Sequence, residues 1–393
     1  MTAALVLLLQ TQEISAEELP ESTESPPGPV QELFKRLPDE LDGWNAEGRE
    51  ASIAVQMFPF AGREDLAARF KPDRSKPRPC AIVQGDALET IAGRARDAQI
   101  VIINEAHDQP LHRYVIEKLG LKLSDEFQLF GAETFDHRAL EEKQPGKVSG
   151  DLGFYSNEPI FGRQLHALEG AGYRFVAYEI REHQKQPEDS STAERVITRE
   201  EAQAENLIAE VLSDNPEQRI LVHVGYSHAL EEPVDNFGQQ IEWFAARLKR
   251  KTGIDPLTIS QTHCSVESAT AENAAEGLRI VDAESALPSP GAIDIVLAHP
   301  PLRFEQKRPV WRFATGDIAI AVPDAFLADD KRVVIEARSP DQSLDEVPVE
   351  RLLLYPGESA PLLLPPGQWR LTAWNQHGMQ HEPIDVTTER RAQ

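Results

Sequence analysis

The chain is poor in sulfur and in aromatic rings. Among 393 residues there are 2 cysteines, 3 methionines and 5 tryptophans. So few cysteines exclude a disulfide-stapled scaffold and a four-thiolate zinc site. Cys80 and Cys264 lie too far apart to form a finger-type ligand pair, although they allow one bridge in an oxidising compartment. Long apolar runs are lacking as well. The stretch from Ala3 to Leu9 falls far short of the roughly 20 residues that span a bilayer, so no transmembrane segment is expected. Basic residues are outnumbered, 40 against 65 acidic ones, and the formal charge of -25 repels nucleic-acid phosphates and anionic membranes. The expected partner is therefore a small-molecule or peptide substrate and not a nucleic acid, and the oligomeric state stays open.

The apolar start resembles the hydrophobic region of an export signal without its basic flank or a small-residue cleavage site. It favours a periplasmic or secreted protein, with the cytoplasm as the alternative. Residues 11 to 43 then mix Glu, Ser and Pro with little periodicity, the composition of a solvated linker. We read 1–43 as leader and disordered linker, 44–310 as an α/β domain and 311–393 as a β-sandwich accessory domain.

From about residue 80, short β-rich runs alternate with longer amphipathic ones, which predicts βα units and a mainly parallel sheet flanked by helices. The expected strands are Ile100 to Asn104, Gln128 to Glu133, Arg174 to Tyr178, Arg219 to Gly225, Leu257 to Thr262 and Ile293 to Ala298. Thr198 and Glu201 form a capping-box pair that would open one helix, and Asn236 would open another that ends at Gly253. After residue 310 come the strand-like phrases DIAIAVPD, RVVIEARS, ERLLLYPGE and PLLLPPGQWRLTAW, broken by Pro-Gly turns. They predict a small antiparallel β-sandwich.

Ligands of open parallel sheets bind beyond the carboxyl ends of the strands, so the residues following each strand are the candidates. Glu105 and His107 follow the first, Glu133 the second, Tyr178 and Glu179 the third, and Tyr226 and His228 the fourth. His263 and His299 follow the last two. Residues two apart in extended chain share a side, which aims Glu105 with His107 and Tyr226 with His228. Carboxylate with neutral imidazole suits a divalent ion such as Zn, Mn or Co, held by Glu105, His107 and His228. It equally suits a carboxylate that orients a histidine to activate water. His223, inside an apolar strand, reads as a hydrogen-bonded core histidine. His112 reads as a weaker candidate facing the mouth. Arg199 would sit in the first turn of its helix, unfavourable for a cation, which implies an anionic partner.

The blocks INEAHDQPLHRYVIEKL, GAETFD, TREEAQAENLIAEVL and ILVHVGYSHA, in that order, resemble the ChaN-type haem-binding lipoproteins and their relatives, the erythromycin esterases and the TraB/Tiki proteins. The resemblance covers about residues 98 to 230. It implies an α/β domain whose pocket is built from Glu105, His107, Glu133, Arg199, Gly225 and His228. It departs at Asn104, where the family has Gly, which puts the loop geometry in question. Two chemistries follow from it. The first is a metal- or His-assisted hydrolase of ester or peptide bonds, with Glu105 as general base, His107, Glu133 and His228 around a metal or water, and Arg199 on the oxyanion. The alternatives are a haem binder with Tyr178, Tyr226 or His228 at the iron, and an inactive binding domain on the same fold.

Overall fold

The computed structural model describes residues 24–44, 48–72, 78–80, 82–83, 86–265, 279–281, 292–327 and 331–389. Six parallel strands form its centre: β1 (Ile100–Glu105), β2 (Leu129–Ala132), β3 (Arg174–Val176), β4 (Ile220–Gly225), β5 (Leu257–Ser265) and β6 (Ile295–His299). Their order across the sheet is β6-β5-β1-β4-β2-β3. The short strand Arg279–Val281 extends the β6 edge antiparallel. As a central strand should be, β1 is buried along its whole length. Val101 and Ile103 point into one apolar layer, and Ile100 and Ile102 into the other.

The strand register sets the site. Glu105 pairs with Gly225, and the Glu133 N–H donates to the His223 carbonyl at 3.2 Å, so the carboxyl ends of β1, β2 and β4 lie side by side.

The N-terminal stretch departs from the linker reading. α1 (Gly28–Arg36) is a helix that buries Val30 and Leu33, and α2 (Gly48–Met57) and α3 (Glu64–Phe70) follow it. These helices pack on Val334, Leu353, Tyr355 and Trp374 of the C-terminal unit. That unit contains β7 (Ile318–Ile320), β8 (Val333–Arg338), β9 (Glu350–Leu354), β10 (Leu362–Leu364), β11 (Gly367–Asn375) and β12 (Ile384–Thr388), all paired antiparallel. The β7–β10 ladder covers one face of the larger sheet, and the N-terminal helices cover the other. Ion pairs of two buried arginines reinforce the union: Arg63 with Glu358 at 2.5 Å, and Arg332 with the exposed Asp39. The boundary at 310 therefore misses a part. The leader before residue 24 lies outside the described residues.

Between β1 and β2 runs α4 (Pro110–Leu123), and between β2 and β3 runs α5 (Pro159–Gly170); each has proline at its first position. Glu158 caps α5, accepting from the Ile160 and Phe161 N–H groups at 2.9 Å. α6 (Thr192–Leu207) starts earlier than the Thr198 signal, because Ser191 and Glu194 form the capping box that is used. Asn236 opens no helix. Phe237 and Gly238, at φ 52° and 75°, turn a tight hairpin between Val234–Asn236 and Gln239–Ile241. α7 (Phe244–Thr252) follows and ends at left-handed Gly253, as expected. Cys80 and Cys264 are bridged, with Cα atoms 5.6 Å apart. Among the described residues, no helix is long and apolar enough to cross a membrane.

Candidate functional site

Glu133 emerges at the end of β2 with its carboxylate at the meeting point of three other elements. Its Oε2 accepts from the Gly225 N–H at 2.9 Å and faces His228 Nε2 at 3.5 Å. Its Oε1 faces His107 Nε2 at 3.9 Å and Arg199 Nη2 at 4.0 Å. Burial would raise its pKa, but His228, Arg199 and His107 lower it to about 2. The group is a permanent anion.

Each imidazole beside it is held from behind by another carboxylate. Glu105 Oε1 lies 2.9 Å from His107 Nδ1, and Glu200 Oε2 lies 2.8 Å from His228 Nδ1. An ionised carboxylate can only accept, so in both rings the Nδ1 proton is committed and Nε2 points forward. Burial opposes a charge on His228, yet Glu133 and Glu200 raise its pKa above the ordinary imidazole value. Gly225 makes the approach possible. A Cβ there would lie 2.4 Å from His107 Cε1 and 2.7 Å from its Nε2.

The expected residues reach this place in different roles. His107, Glu133 and His228 come together, while Glu105 sits beneath them with both oxygens engaged. Arg113 Nε donates to Glu105 Oε2 at 2.6 Å and its Nη2 to Oε1 at 2.9 Å, and His223 Nε2 lies 3.1 Å from Oε2. Despite complete burial, Arg113, His223 and His107 hold the Glu105 carboxyl well below its usual range. It is no general base, and with its lone pairs spent, the donor set Glu105, His107 and His228 does not fit a divalent ion. Among the described residues, no group of three or more His, Cys, Asp or Glu side chains is placed to hold one. Arg199 lies two turns into α6, so the dipole argument fails. Its anionic partner is real nonetheless: Glu179 takes Nε at 3.0 Å and also Nη2.

Tyr178 is buried against Phe244, with ring centroids 5.1 Å apart, and its hydroxyl donates to the His223 carbonyl at 3.4 Å. Tyr226 stays at the mouth, 39 % exposed, its ring edge-on to His107 at 5.0 Å. Of the three alternative haem ligands, Tyr226 stands at the mouth, whereas Tyr178 and His228 are buried. His112 accepts from the Ala106 N–H at 3.0 Å and stacks on His299 in the interior. Asn104 stands in regular strand and ties β1 to β5 through the Gln261 N–H at 2.7 Å. The left-handed backbone falls instead on Tyr226, at φ 39°.

Sequence reasoning overlooked Arg113, Glu200 and Tyr155, whose ring stacks on His107 at 4.0 Å. Arg113 and Glu200 both fall inside the resembling blocks, next to His112 and Arg199, whereas Tyr155 carried no signal.

No family model and no curated protein matches the chain. Solved structures that share slight similarity with it include the following three. One titled "Bacterial protein toxins" is 16% identical at a TM-score of 0.33, over 47% of this chain and 38% of that one. The type III effector HopBA1 is 17% identical at 0.34, over 58% and 98%. RRSP, a MARTX toxin effector domain from Vibrio vulnificus, is 16% identical at 0.28, over 42% and 34%. The chain thus spans well under half the length of the first of these, and likenesses this slight assign no family.

Proposed function

We propose that the protein hydrolyses an ester or peptide bond, with His107 as general base and His228 as general acid. One observation carries the reading: two imidazoles, each fixed through Nδ1 by a buried carboxylate, present Nε2 to the same ionised Glu133. Glu133 and Glu200 raise the His228 pKa above the ordinary imidazole value, which favours its protonated form and the acid role.

A water bound at His107 Nε2 gives that nitrogen a proton as its oxygen bonds to the substrate carbonyl carbon. Arg199 Nη1, which lies 3.4 Å from His228 Nε2, neutralises the oxyanion that forms. The tetrahedral adduct collapses as the carbon–oxygen or carbon–nitrogen bond to the leaving group breaks. The His228 proton passes to that leaving atom, and the two histidines return to their starting states by exchange with solvent. Glu133 stays ionised and keeps His228 charged between turnovers. The Cys80–Cys264 bridge favours a periplasmic or secreted setting, where disulfides persist.

The test is a screen of chromogenic esters and fluorogenic peptides with the full chain. His107→Gln and His228→Gln should each lower kcat by about 10²-fold or more, with turnover unaffected by chelators. If no substrate is turned over, while haem binds tightly and responds to Tyr226→Phe, the hydrolase reading falls.

A further inference from the structure

Beside the candidate site, toward the seam between the N-terminal helices and the C-terminal unit, lies a cleft that His107, Glu133 and His228 do not themselves line. It comprises two cavities, of about 380 Å³ and 540 Å³, that share Gly150, Asp151, Phe154 and Asn157 as a common wall. The first lies against Thr134 and Glu179, the chain neighbour of Glu133 and the partner of Arg199. The second is floored by Leu33, Met57 and Phe60. Ring contacts lead from that floor to the proposed base: Phe60 to Phe154 at 5.3 Å, Phe154 to Tyr155 at 5.1 Å and Tyr155 to His107 at 4.0 Å.

Phe154 is 51 % exposed, an unusual state for a phenylalanine at the mouth of an apolar cavity. The rim is of one sign. Asp136, Asp151 and Asp345 stand exposed along it. Among the described residues no lysine lines either cavity, and the one arginine that does, Arg351, is buried and committed to Glu336 and to the Phe60 and Asn157 carbonyls. An apolar floor under an acidic rim selects a ligand that is apolar at one point and cationic around it. Two cavities in line suit an extended chain more than a compact molecule.

Resting on the hydrolase reading, we infer that the cleft receives an extended polypeptide segment bearing basic side chains and one large apolar side chain, the latter seated on Leu33, Met57 and Phe60. The segment leads its backbone past Phe154 to the His107 and His228 pair.

Fluorescence anisotropy on the full chain tests this with a short fluorescein-labelled peptide of lysine and serine around one central leucine. That peptide should bind, should lose about tenfold in affinity when the leucine becomes serine, and should fail to bind when glutamate replaces lysine. Asp151→Asn combined with Asp345→Asn, and separately Phe154→Ser, should each weaken the lysine peptide by about five- to tenfold, and rising salt should weaken it further. Equal binding of the glutamate peptide, or affinity indifferent to the cleft variants, would overturn the inference. So would a dimer in sedimentation that Phe154→Ser abolishes, since a second copy would then be the occupant. Peptide bound but never cut, in a protein that turns over no ester either, sinks only the hydrolase reading. Ester turnover without peptide binding sinks only the cleft.

Discussion

Glu64, the first residue of α3, is buried in the seam between the N-terminal helices and the C-terminal unit, where the Trp311 indole N–H donates to its Oε2 at 3.3 Å. Burial and the nearby Glu158 push its pKa from 4.5 up to about 7, against the pull of Arg312 and Arg308. Between those two values the folded chain holds a proton that the unfolded chain has released. The stabilising contribution is therefore complete below 4.5, declines as pH rises, and is gone above about 7. Integrated from pH 5 to pH 8, the loss amounts to about 2.5 kcal/mol. Glu64→Gln keeps the shape and an acceptor for Trp311 but cannot ionise. Urea unfolding of the two proteins should give similar free energies at pH 5. At pH 8 the glutamine variant should be the more stable by about 2.5 kcal/mol. Parallel stability profiles for the two proteins would refute the assignment of a proton to Glu64.

Gly225→Ala places a methyl group within the His107 ring contact, and should cut turnover by about 10²-fold while costing about 1–3 kcal/mol in denaturant unfolding; unchanged kinetics would show that His107 has room to move. Replacing Cys80 and Cys264 by serine opens a link between residues 184 apart, and a chain-entropy estimate puts the loss at up to about 5 kcal/mol. An unfolding midpoint equal to the wild type would contradict it. Removing residues 311–393 strips the partner surface from Val30, Leu33 and Phe58. Hydrogen exchange should then find α1 to α3 unprotected, whereas full protection would mean that these helices need no sheet.

The parallel strands were readable to within about three residues at each end, because a strand buried on both faces must be a continuous apolar run, as Ile100 to Ile103 is. The site positions were readable for a related reason: strand ends converge, so the acids and histidines after β1, β2 and β4 had to meet. Their roles were not. Whether Glu105 acts as base or brace depends on Arg113, which lies on the next helix, and on His223, inside the neighbouring strand; neither placement follows from local pattern. The helix at Gly28 was hidden because the surface that buries Val30 and Leu33 comes from more than 300 residues further on. Two Ser/Thr-x-x-Glu signals compete at α6, Ser191 with Glu194 and Thr198 with Glu201, and the one nearer the preceding loop is used.

The union of α1 to α3 with β8, β9 and β11 also orders events during synthesis. The helices are complete once Phe70 has been made, but their covering sheet begins at Val333. At roughly 5–20 residues per second a ribosome needs on the order of tens of seconds for that interval. Throughout it the nascent chain carries a helical segment whose apolar face has no native partner, while the six-stranded sheet assembles between the two halves. Strands translated well after α1 to α3 therefore close the fold around those helices, and until they arrive that early apolar face is open to solvent or to a chaperone.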